Sequence, residues 1–131
     1  MSIPLIQQYI YEVETWHRLL DYLEDGNILY RHRLAVILKN DTESTLDEMI
    51  ESFLNKFMLE DAIILLFRDE ITKAKTQMLE MGKEVAKEGN FGDFIFTQDK
   101  LREEIKIIEQ RFNRLKFELD KYLSDHFTTI K

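Results

Sequence analysis

The residues best suited to acid–base or metal chemistry in this sequence are its three histidines and twenty-five carboxylates, and their spacing decides what to expect of them. Glu14-Thr15-Trp16-His17 sets a carboxylate and an imidazole three residues apart, the helical spacing from which ferritin-like bundles build di-metal centres. Such a centre needs a second Glu-x-x-His pair and two further carboxylates. The other histidines, His32 and His126, follow Leu29 and Leu123 at that distance, so no second pair exists. The chain has no cysteine, which excludes disulfides, zinc thiolates and cysteine nucleophiles. Phosphate loops, nucleophile elbows and dinucleotide fingerprints are absent too, and no histidine is well placed to hold haem. The expectation is no catalytic residue, no metal and no cofactor.

Three other polar residues, Asn27, Glu60 and His126, stand out because each interrupts an apolar stripe. The stripes themselves are the dominant signal. Ile6, Tyr9, Val13, Trp16, Leu20, Leu23, Asn27, Tyr30, Leu34 and Ile37 step by threes and fours, one heptad frame over about nine helical turns. A second tract runs Leu46, Ile50, Phe53, Phe57, Glu60, Ile64, Phe67, Ile71, Ala74, Met78, Met81 and Val85. Ser44 with Asp47, or Thr45 with Glu48, makes a capping-box start for it. Its end falls at Gly82 or at Gly89. The third tract carries Leu101, Ile105, Ile108, Phe112, Leu115, Leu119, Tyr122 and His126. Thr97 is its expected cap, with Phe96 stapled onto Leu101, while Phe94 and Phe96 plug the bundle end. The sequence thus predicts an all-α fold, three long antiparallel helices over about 3–39, 45–88 and 97–127 in an up-down-up, coiled-coil-like bundle. It forms a single domain over residues 1–131.

Composition agrees with that reading. Of 131 residues 44% are hydrophobic and 33% charged, too apolar for a disordered chain and too charged for a membrane protein. Four glycines and one proline are too few for a turn-rich β fold. The net charge of −7 argues against a nucleic-acid partner, which demands a basic face. The N-terminus lacks the features of a secretory signal. The longest apolar run, Ala62 to Phe67, is far too short to span a bilayer. A cytoplasmic protein without membrane contact is expected.

Antiparallel pairing lets the helices be matched by level. A turn near residue 42 places position i of the first helix opposite about 84 − i of the second. If the second helix runs to Glu88, its position j faces about 185 − j of the third. Asn27, Glu60 and His126 then share one polar core layer, suited to fixing register or, in the alternative, to holding a metal or a proton with Glu24 or Asp61. The same arithmetic leaves the hairpin tip uncovered. Leu34, Ile37, Met49, Ile50, Phe53, Leu54 and Phe57 would then form an oligomer interface. Ala62 to Phe67, apolar all round, asks for a further neighbour as well. A homodimer is expected, with an unknown protein as the other partner.

Gln7-Gln8-Tyr9-Ile10, Trp16 to Leu20, Arg33 to Asn40, Glu51 to Phe57 and Glu109 to Leu123 make the chain resemble a family of uncharacterised small helical-bundle proteins of Bacteroidetes. The resemblance implies a helical architecture and carries no activity or site residues. Gly26 departs from it and weakens the first helix by about 1 kcal/mol relative to alanine. The functional expectation is a non-enzymatic, self-associating helical module. The alternative is a metal-binding bundle, ferritin- or hemerythrin-like, or a small enzyme using the Glu60 and His126 layer.

Overall fold

The computed structural model describes residues 3–40, 44–83 and 92–127. They form three helices, α1 (Ile3–Asn40), α2 (Ser44–Lys83) and α3 (Gly92–Phe127), with no strand among the described residues. No helix among them is long and apolar enough to cross a membrane. Pro4 lies in the first turn of α1, where its missing N–H removes no helical hydrogen bond. Gly82 is still helical and no described glycine has a positive φ, so α2 does not stop there. Gly89, the rival end, lies outside the described residues, as do Val85, Phe91 and the side chains of Ser44 to Asp47.

The heptad stripes are the core. Ile6, Val13, Trp16, Leu20, Leu23, Asn27 and Leu34 of α1 are buried, and Tyr9, Tyr30 and Ile37 pack partly buried beside them. On α2 every described stripe position from Ile50 to Met78 is buried. The two helices pair at nearly the expected level. Tyr30 stacks on Phe57, ring centroids 5.3 Å apart, and Trp16 meets Phe67 at 6.4 Å.

The register of α3 differs from expectation. The helix begins at Gly92, five residues before the expected start, so Thr97 is interior and caps nothing. The apolar rhythm continues backwards from Leu101 through Gln98, which is buried, to Phe94, which packs against the core. Phe96 is 71% exposed and staples nothing. In an antiparallel pair each residue by which the turn moves shifts the partner by two. Glu60, expected opposite Asp125 and His126, meets Arg111, and Phe57 meets Phe112, so α3 lies roughly a dozen residues, about 18 Å, nearer the hairpin tip than expected.

That slide covers the tip. Tyr122 lies 5.6 Å from Phe53, and Phe112 sits edge-on to Phe57 at 6.2 Å. Leu34, Ile50 and Phe57 are fully buried within the single chain, Phe53 nearly so, and Ile37 and Leu54 pack against this core. Only Met49 of the expected interface is exposed. The tip is core, and the case for a dimer through it falls with the register that suggested it.

One close approach marks the level where α3 settles. A Cβ placed on Gly26 would lie 2.9 Å from Phe112 Cζ, and the Phe112 ring is held in turn by Tyr30 and Phe57. Gly26→Ala adds about 1 kcal/mol of helix propensity but overpacks this site at a cost of about 2 kcal/mol. A net loss of about 1 kcal/mol is expected in chemical denaturation. In a Phe112→Leu background the same change should instead stabilise, and the double-mutant cycle measures the coupling.

Candidate functional site

The polar layer forms with different membership from that expected. Asn27 and Glu60 are both buried, at 0% and 5% exposure, at corresponding levels of α1 and α2. His126 is exposed at the far end of α3, its ring 4.2 Å from Tyr122. Because of the shifted register, Arg111 reaches Glu60 instead, 3.0 Å from Nη2 to Oε1. Beside this pair, Arg31 of α1 approaches Asp61 of α2 at 3.8 Å.

The layer is underfilled with hydrogen bonds. Both polar atoms of Asn27, Nε of Arg31 and Oε2 of Glu60 are buried without a protein partner. An unpaired buried polar atom is expensive, so stability is sacrificed here at the middle of the bundle. Burial pushes the Glu60 carboxyl above its ordinary range, and the Arg111 charge and hydrogen bond offset only part of that. Arg111 is half exposed and keeps much of its own hydration.

The Glu14 and His17 pair is claimed by cations. Lys75 holds Glu14 at 3.3 Å. His17 faces Arg68 at 3.5 Å and Thr72 at 3.4 Å. Burial, then the charges of Arg68 and Lys75, keep its pKa below the usual value. Arg68 also binds Glu24 at 2.8 Å and Asp21 at 2.9 Å, so Glu24 serves the α1–α2 seam. No three His, Asp or Glu side chains among the described residues converge as metal ligands, and Glu60 and His126 of the alternative reading lie at different levels.

A second polar cluster ties α3 to α1 near the opposite end. Gln98, 1% exposed, donates to Tyr9 O at 3.3 Å and to Glu12 Oε1 at 2.8 Å. Arg102 grips both oxygens of Glu12 at 2.7 Å. Burial alone would raise the Glu12 carboxyl, but these hydrogen bonds outweigh it and hold the group below the ordinary range. Reading the stripe only from Leu101 missed this cluster, although Gln98 falls on its backward extension.

The remaining feature is the outer face of α2. Ile64 and Phe67 of the apolar run are buried, but Leu65 and Leu66 are 55% and 67% exposed. Met58 and Leu59, one to two turns earlier, are exposed, and so is Ala62 between them. Across a shallow groove of about 240 Å³ between α2 and α3, Leu66 meets the exposed Ile107 of α3, with Glu70 and Glu104 at one end and Arg111 at the other.

These features define a three-helix, coiled-coil-like bundle with an incompletely hydrogen-bonded polar layer inside and an apolar strip outside. No protein family, curated protein or solved structure matches the chain.

The raised Glu60 pKa has a definite sign. A carboxyl whose pKa the fold raises contributes stability that is fully present below its ordinary value of 4.5. That contribution is lost as pH rises through the higher folded value. Glu60→Gln should therefore melt higher than the parent at pH 7, with the advantage shrinking toward pH 4 in thermal scans. Asn27→Leu, which removes two unpartnered buried atoms, should raise stability by about 1–3 kcal/mol in urea denaturation; a loss would show that Asn27 is hydrogen-bonded in solution.

Proposed function

We propose that this protein is a non-enzymatic interaction module, a helical bundle that acts by presenting the outer face of α2 to a protein partner in the cytoplasm. The exposed strip of Met58, Leu59, Leu65 and Leu66 supports this reading. Four large apolar side chains within a little over two turns, joined by Ile107 across the groove, form the kind of contiguous patch that marks an interaction site. Tyr22, Ile28, Leu29 and Val36 of α1 are exposed too, but they are spread over about four turns, and Tyr11 and Phe117 stand singly. The rim is polar, with Lys56, Asp69 and Glu70 around it, as interface rims are.

A photo-reactive amino acid placed at Leu66 in the native cell tests the proposal without naming the partner. Covalent protein adducts are expected from position 66 and not from Glu103, an exposed position on α3 away from the strip. Adducts from neither position, or equally from both, would overturn it.

A further inference from the structure

The outer face of α2 has the same pattern read from either end. Met58 and Leu59 lie four and three residues before Ala62, and Leu65 and Leu66 three and four after it; all five are exposed. Asn55 and Asp69 close the strip at equal distance on the two sides. Beside them the charges are opposite, with Lys56 toward one end and Glu70 toward the other, both exposed. Fourteen residues separate Lys56 from Glu70, close to four helical turns. The two therefore lie along one edge of α2, the edge where Glu70 borders the groove to α3.

We infer that the partner of this face is a second copy of the chain, docked with the two α2 helices antiparallel across a twofold axis at Ala62. This rests on the interaction-module reading and names its partner. Under that symmetry a residue before Ala62 meets, on the other copy, the residue of the same edge at about the same distance after it. Met58 then meets Leu65, Leu59 meets Leu66, and the two Ala62 side chains share the axis, small enough for close helix packing. Lys56 of each copy comes opposite Asp69 and Glu70 of the other.

The charges choose the direction. In the antiparallel arrangement the Lys56–Glu70 edge of one copy runs against the same edge of the other with its ends reversed, so unlike charges meet; a parallel twofold would carry the two edges to opposite sides of the interface and leave these charges without each other. Glu70 also has reason to take a cation. It lines the groove with Glu104, whose carboxyl is pushed up by burial and by the charge of Glu70. This edge thus presents two crowded carboxylates. In the single chain Lys56 is exposed and rests over the Phe53 ring at 5.6 Å.

The chain has no cysteine, so single introduced cysteines report the geometry cleanly. Under mild oxidation Ala62→Cys is expected to give a disulfide-linked dimer. Asp69→Cys, whose two copies would lie about 21 Å apart, is expected to give none. Linkage at both positions would show a parallel dimer and overturn the antiparallel geometry while leaving the interaction reading intact. Sedimentation of the unmodified chain at micromolar concentration should show a dimer. Lys56→Glu should weaken it about tenfold, because two symmetry-related contacts turn repulsive, and adding Glu70→Lys should restore most of the loss. A double variant as weak as the single would overturn the charge pairing. Leu66→Glu, at an exposed position, should give a folded monomer by circular dichroism. A monomeric parent chain with no linkage at Ala62 would overturn the inference, while partner adducts at Leu66 in the cell would still uphold the broader reading.

Discussion

Where α3 lies along the α1–α2 hairpin is settled by steric fit at one level of the bundle. The Phe112 ring presses against the bare backbone of Gly26, with Tyr30 and Phe57 closing around it. A neighbouring residue on each helix then falls into place, since Arg111 adjoins Phe112 and reaches Glu60. A heptad repeat by itself permits α3 to sit at any of several levels one heptad apart, all equally apolar. An aromatic ring that fits only against a glycine removes that degeneracy. With α3 at this level the tip is covered, the polar layer acquires an arginine and His126 is left outside.

The cost of the arrangement is concentrated in the same place. Glycine weakens α1, Asn27 is buried without a partner and Glu60 is desolvated beside a half-exposed arginine. A bundle built for stability alone would carry leucine at such positions. Polar groups in a coiled-coil seam are best known for restricting register, and the unmatched level of Asn27 and Glu60 fits that role. Sliding α3 by one heptad would strand Glu60 without Arg111 and set a different residue against Gly26.

Outside the core, α2 carries a dense strip of apolar residues on its outer face as well. The core face is consumed by α1 and α3, which leaves Met58, Leu59, Leu65 and Leu66 in water. Nothing in the internal packing requires them. Their symmetry about Ala62, with Lys56 and Glu70 beyond opposite ends, is likewise not demanded by the fold, and that is why the outer face rather than the polar layer carries the functional reading.

Periodicity in the sequence was enough to determine the helices, their core faces and the level at which α1 meets α2. Each is a local matter, a stripe read over a few turns or a turn of known length. The buried state of Asn27 and Glu60 was legible for the same reason, and the apolar run from Ala62 to Phe67 already signalled a face without a neighbour. Only the tertiary structure decided the level of α3, and with it whether the tip was core or interface and whether Glu60 met His126 or Arg111. Register error grows by two residues for each residue by which a turn is misplaced. Heptads repeat too regularly to correct it, so a contact as specific as Phe112 on Gly26 had to be seen in three dimensions.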